Sequence, residues 1–280
     1  MLLAVSSWAA MIVLVRALSA QYTSFEILFL RTLVGLAIMV PVFSRTGIGG
    51  LRTKRMSLHV LRGLFAYFGM LGLFIGIGEI PMADVVALSF TQPIFIVVTA
   101  SLFFGEGFTR IRGFATAGGF FGVLVIVRPG LQEIGLGAAI VLASAISYAA
   151  SNICIKKLMA TETSQSTTAW VNIIMCPLAA VPAAFYWVTP EAADVPLLIG
   201  VGITGTMGVW FVSRAYANAE ISAVVPLDFL RLPMVAIAGW LLFDETTDRW
   251  TVVGALMIFA SAYVLARAEA RNRGHRPTRT

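Results

Sequence analysis

Long apolar segments alternate with short polar connections along the whole chain, and ten of them reach or approach the length of a membrane span. Cutting the 280-residue sequence wherever charged or turn-forming residues cluster predicts helices over 1–18, 25–43, 58–78, 83–104, 111–127, 135–158, 168–188, 195–217, 222–243 and 250–266. A spanning helix needs roughly 17–25 mainly apolar residues to cross about 30 Å of hydrocarbon. Connections this short join packed neighbouring helices rather than separate domains. The pattern predicts an all-α integral membrane protein of ten transmembrane helices.

The pattern also repeats. A shift of 139 positions lays Val85, Val86, Leu88 and Phe90 on Val224, Val225, Leu227 and Phe229, Glu106 on Glu245, and Arg128 on Arg267. The chain therefore divides into a first unit over 1–128, a second over 135–267 and a basic tail over 268–280. Five helices per unit is an odd number, so the second unit enters the bilayer upside down. Two inverted five-helix repeats about an axis in the membrane plane is a transporter architecture.

Composition agrees: 59% of the residues are hydrophobic and 12% charged, with a mean hydropathy of +0.88. That much hydrocarbon does not fit in one water-soluble core. Basic residues concentrate on cytoplasmic loops, and with both termini inside a cell membrane, Arg45, Arg52, Lys54, Arg55, Arg62, Arg110, Arg112, Lys156, Lys157 and Arg214 fall on the inner face with the tail arginines. The outer connections then carry Glu79, Glu133, Glu191, Asp194, Asp244, Glu245 and Asp248. A pI of about 9.7 thus reads as a topology signal with attraction to anionic headgroups, and nucleic acid is not an expected partner. Cys154 and Cys176 both fall inside spans, and His59 and His275 have no partner at ligand spacing. No disulfide framework, metal or cofactor is expected. Met1 opens straight into an apolar segment without a basic leader, so a removable signal peptide is not expected.

Polar groups inside the spans cost free energy and are usually kept for function. In the fourth segment Ser89, Gln92 and Thr99 share one helical face, and the 139-residue shift carries Ser89 onto Asp228 and Gln92 onto Arg231 in the ninth. Both faces should point at one central cavity. Asp228 and Arg231, three residues apart, are either a structural ion pair or a binding site for a charged substrate group, with Asp228 also a candidate proton carrier. Pro93, Pro226 and Pro233 accompany these faces, each withholding an amide from the preceding turn, and are candidate kink or gating positions. Arg31, deep in the second segment, suits a substrate carboxylate or phosphate, since Glu26 is poorly placed to pair with it; Arg16, near an outer helix end, can snorkel. Tyr67, Tyr148 and Asn152 are further candidates to orient a ligand, as is Asn172. Glycines at equivalent places, Gly63 with Gly202 and Gly69 with Gly208, and the Gly118/Gly122 pair, favour close helix contacts.

The run from Trp8 through Arg16, Phe29-Leu30-Arg31, Leu61-Arg62-Gly63 with Tyr67, Ile80-Pro81-Met82-Ala83-Asp84, Pro93, Phe104-Gly105-Glu106 and Arg128-Pro129 resembles the EamA repeat of the drug/metabolite transporter superfamily. Pro233 and Phe243-Asp244-Glu245 close the same pattern in the second half. The resemblance implies a ten-helix secondary carrier with a central site lined by the third, fourth, eighth and ninth helices. Asp228 and Arg231 are not part of that family pattern.

These readings converge on a secondary active transporter, with export of a small metabolite such as an amino acid as the first expectation. The alternatives are uptake of a larger vitamin or nucleoside-like compound, for example riboflavin or S-adenosylmethionine, and a non-transporting scaffold. A small-molecule substrate, the bilayer and a coupling proton are the expected partners; the oligomeric state is left open. No HExxH, GxSxG or phosphate-binding glycine loop is present, so an enzyme is not expected.

Overall fold

Apolar segments that cannot hydrogen-bond to lipid must close their backbone bonds internally, and helices do so locally. The computed structural model describes residues 1–46, 51–92, 95, 110–128, 135–159, 161–218, 228 and 230–273, and among these it contains helices and no strand. The helices are α1 (Leu2–Leu18), α2 (Ser24–Thr46), α3 (Met56–Glu79), α4 (Met82–Ser89), α5 (Arg110–Val127), α6 (Leu136–Leu158), α7 (Ser164–Phe185), α8 (Val195–Asn218), α9 (Arg231–Phe243) and α10 (Arg249–Arg273). Five of them, α2, α3, α6, α7 and α8, are each long and apolar enough to cross a membrane. Large side chains such as Phe68, Phe120, Phe185, Trp240 and Leu241 stand exposed on the outside of the bundle, as lipid contact requires.

The fourth and ninth spans depart from the continuous helices expected over 83–104 and 222–243. Helix α4 stops at Ser89, Phe90 and Thr91 form a turn, and helical geometry resumes at Gln92. In the second half, Leu230 is a turn residue and α9 begins at Arg231. The 139-residue shift superposes Gln92 on Arg231, so each copy restarts its helix at the same register. Pro93 and Pro226 lie outside the described residues. Pro233 is the third residue of α9, in a first turn where the missing amide costs no bond within the helix.

Packing joins the two halves throughout. The most extensive contacts pair α3 with α6, α5 with α10, α1 with α8 and α2 with α7. Exchanging the halves turns α1–α8 into α6–α3 and leaves α2–α7 and α5–α10 unchanged. Side chains follow the same exchange: Gly63 of α3 receives Ile174 and Gly69 receives Tyr148, while Gly202 of α8 receives Val34 and Gly208 receives Trp8. A Cβ at any of these four positions would crowd its partner.

Polar loops sort to opposite ends. At one end, Tyr22 donates to Asp194 Oδ2 at 2.8 Å, the amide of Val188 donates to Glu26 at 3.3 Å, and Arg128 pairs with Asp248. At the other, Thr53 donates to Glu162 at 2.7 Å and Arg55 to the carbonyl of Lys157 at 3.1 Å. Asp194, Glu26 and Asp248 thus engage at the first end together with Arg128, and Arg55 and the Lys157 carbonyl at the second together with Glu162.

The α5–α10 contact is backbone to backbone: a Cβ at Gly122 would lie 2.8 Å from the carbonyl oxygen of Gly254. Gly122→Ala is expected to destabilise the protein by about 1–3 kcal/mol through overpacking, read as a lower Tm in detergent. Gly135→Ala, where a Cβ would meet nothing within 4 Å, should leave Tm unchanged.

Candidate functional site

The two helix restarts bring charge to the centre of the bundle. Arg231, the first residue of α9, pairs with Asp228 Oδ2 at 3.2 Å, and both side chains are only partly exposed, at 15% and 25%. The guanidinium carbon lies 5.5 Å from the Trp8 ring centroid and 5.3 Å from that of Phe90. Trp8 belongs to α1 and Phe90 to the turn after α4, so the cation of the second half is sandwiched by aromatic rings of the first. Cation–π contacts of this kind supply roughly 0.5–2 kcal/mol when partly desolvated. The ion pair is incomplete: Asp228 Oδ1 and Arg231 Nε have no hydrogen-bond partner.

A second buried cation lies on the α2 side. Arg31 is 4% exposed, no carboxylate among the described residues lies within ion-pair distance of it, and its Nε is unpartnered. Glu26 is occupied elsewhere, accepting from Val188. Tyr148 of α6 stands within electrostatic reach of both Arg31 and Arg231 and donates its hydroxyl to Met70 sulfur at 3.0 Å.

The remaining sequence candidates are placed less closely. Ser89 spends its hydroxyl on the carbonyl of Val85 at 2.7 Å, within its own helix. Gln92 is half-buried just past the turn, Asn152 is half-buried on α6, and Tyr67 is buried on α3, edge-on to Phe68 at 5.3 Å. Two residues were not singled out as site residues by their sequence positions. Trp8 corresponds to Tyr148 at a shift of 140, and Thr206 to Tyr67 at a shift of 139. Thr206 Oγ1 and Asn172 Oδ1 are buried without partners, and both face Gly35, one turn beyond Arg31. The 139-residue repeat leads from Tyr67 to Thr206, whereas Trp8 lies one position off that register from Tyr148.

Glu245 ties the end of α9 to helices of the first half. Helix α9 ends at Asp244 with φ 54°, a left-handed turn that folds the next residue back on the bundle. Glu245 then pairs with Arg16 at 2.6 Å and accepts from the amide of Met82, at the start of α4, at 2.8 Å. Arg16 also donates to the carbonyls of Ile77 and Gly78, at 2.5 and 3.1 Å. Arg16 therefore does not snorkel away, because the terminal carbonyls of α3 and one carboxylate satisfy it together. Beside this cluster Thr251 of α10 donates to Asp84 of α4 at 2.5 Å.

The model of the EamA-like transporter family matches residues 1–128 and again 135–267. A riboflavin transporter of Rhizobium johnstonii is 30% identical over 95% of this chain and 86% of its own length. An S-adenosylmethionine uptake transporter of Rickettsia conorii is 29% identical over 98% and 94%, and a pseudopaline exporter of Pseudomonas aeruginosa 24% identical over 95% and 94%. A solved crystal structure with 16% sequence identity superposes over 95% of this chain and 96% of its own with a TM-score of 0.62, a likeness of fold.

Arg16 and Glu245 are expected to behave as a coupled pair. Arg16→Met and Glu245→Gln should each lower thermal stability in detergent, and the double variant should lose less than the sum, with a coupling of about 0.5–3 kcal/mol. Strict additivity in the Tm series would show that the pair contributes nothing.

Proposed function

The chain belongs to the EamA-like transporter family, and on that premise we propose that it is a secondary active carrier for a small metabolite, working by alternating access with its substrate between the two repeats. The observation that carries this reading is the meeting of two interrupted spans at Asp228 and Arg231, with Trp8 and Phe90 stacked on the arginine. Irregular backbone and partly unsatisfied charge at membrane depth are tolerated where they line a wet cavity. Arg31, Tyr67, Gln92, Tyr148 and Asn152 complete the proposed lining, with Ser89 at the end of α4. Asp228 is the proposed proton carrier, because its free oxygen leaves it one unused acceptor beside Arg231.

The exchange-symmetric packing supports two five-helix units related by a two-fold axis, the second inverted relative to the first. In that cycle the units rock about the cavity. The Arg16–Glu245–Met82 cluster joins α1, α3 and α4 of the first unit to the end of α9 in the second. Opening that end requires the carboxylate to release Arg16, and substrate binding energy drives the change only as far as it favours the open state. The separation of acidic and basic loops supports a cytoplasmic-membrane placement with both termini inside, which makes this the outer gate.

The substrate that suits the cavity has a charged group for Asp228 or Arg231 and a planar or apolar part for Trp8 and Phe90. Export of an amino acid or a related compound fits. The second reading is uptake of a larger ring-bearing metabolite, favoured by the S-adenosylmethionine uptake transporter among the relatives and by the aromatic rings on Arg231.

Proteoliposomes loaded with a metabolite panel, with and without an imposed pH gradient, test substrate, direction and coupling together. Asp228→Asn and Arg231→Met, inserted and folded normally, are expected to cut the transport rate at least ~10-fold, a loss of about 1.4 kcal/mol. Transport at the parental rate in both variants would remove this site from the mechanism.

A further inference from the structure

Arg31 is a cation whose charge nothing in the described structure answers. Burying an unpaired guanidinium inside a membrane bundle is costly, and three features hold this one in place. Glycine at 205 makes room for it, since a Cβ there would lie 2.7 Å from Arg31 Nε and 3.1 Å from a terminal nitrogen. Met11 sulfur closes the same spot, 3.0 Å from that Cβ position. Tyr148 stands within electrostatic reach of Arg31 and also of Arg231.

The Asp228–Arg231 pair neutralises itself, whereas Arg31 adds one net positive charge. A charge so placed is not needed for a packing contact; a methionine would fill comparable volume with no desolvation cost. It gains most when an anion arrives, because the cost of burying the cation is already met and two parallel N–H···O bonds then form in a low dielectric. The polar oxygens of Asn172 and Thr206 facing Gly35, one turn along α2, extend the polarity of the same α2–α7–α8 junction. Asn172 is oriented by donating its amide to the carbonyl of Thr168 at 3.0 Å, which leaves its oxygen as an acceptor.

We propose that Arg31 is the anion subsite of this cavity, a place for a substrate carboxylate or phosphate separate from the Asp228–Arg231 pair, and that Gly205 is the positioning residue that sets the guanidinium there. The inference rests on the central-cavity transport reading and adds a requirement to it: the substrate carries an oxyanion on the α2–α8 side and its ring or apolar body on the Trp8 side. A neutral ring compound would leave Arg31 unanswered.

Equilibrium binding to the purified full-length protein tests this apart from transport. The probes share a phenyl ring and differ in their polar end: 3-phenylpropionate, phenyl phosphate and the neutral 3-phenylpropanol, with affinity read from the concentration dependence of Tm. The expected result is that one of the two anions binds at least ~10-fold tighter than the alcohol, a difference of about 1.4 kcal/mol, and which anion wins tells carboxylate from phosphate. Arg31→Met and Gly205→Ala should both abolish that preference while leaving the response to the alcohol; Gly205→Ala keeps the charge but displaces it, so it serves if Arg31→Met does not fold. Arg31→Lys should retain part of the preference, because the charge survives without the fork. An equal or absent response to anions and alcohol in the parental protein overturns the subsite, and so does an anion preference that survives Gly205→Ala and Arg31→Met. Loss of transport with this binding pattern intact would instead count against the alternating-access reading alone.

Discussion

A helix that breaks inside hydrocarbon exposes amides and carbonyls that lipid cannot satisfy, so the break must be surrounded by protein or by a wet cavity. The rest of this bundle is arranged around that constraint. The turn at Phe90 and Thr91 and the restart at Arg231 fall at one register of the duplicated sequence, and helices from both halves enclose them. Aromatic rings of the first half cover the cation of the second. Because each broken span depends on the other half for its surroundings, neither half is complete alone.

Close packing supplies the rigidity that lets this centre stay polar. Glycines on α3 and α8 take Tyr148 and Trp8 against the backbone, which fixes both rings by close packing. The α5–α10 contact, where Gly122 and Gly254 meet through their carbonyls, forms a second symmetric seam between the halves. Dispersion between well-fitted surfaces drives such association, since lipid offers no hydrophobic gain. The polar cluster of Arg16, Glu245 and the Met82 amide differs in kind: it is directional and can be exchanged for water at an end of the bundle. Rigid apolar seams with a separable polar fastening are what a rocking motion requires.

Much of the fold was legible in the chain. The described helices agree with the predicted segments within a few residues for α1 to α3 and α5 to α8, because apolar length between charged clusters is a local property. The 139-residue shift also predicted that Gln92 and Arg231 occupy matching places. The prolines of the fourth and ninth spans marked them as candidate kinks, but the turn at Phe90 and Thr91 and the one at Leu230 were not legible, since apolar length alone reads as one continuous helix. Ser89 was chosen for its helical face, yet its hydroxyl serves its own backbone. Trp8 and Thr206 escaped notice as site residues because an aromatic or a threonine in an apolar span carries no local sign of facing a cation or a glycine.

Sequence by itself determined that the chain is helical and rich in apolar segments, where most of those helices run, and that the unit is duplicated; each follows from hydropathy and spacing along the chain. Tertiary structure decided the partners of the ionisable groups. Arg16 and Glu245 stand 229 positions apart and meet only because α9 ends in a left-handed turn beside α3 and α4. Arg231 has its carboxylate three residues away, as spacing alone allowed, whereas Arg31 meets none among the described residues. Pairing between residues far apart in the chain depends on how distant helices cross and rotate, and no local property of the chain encodes that geometry.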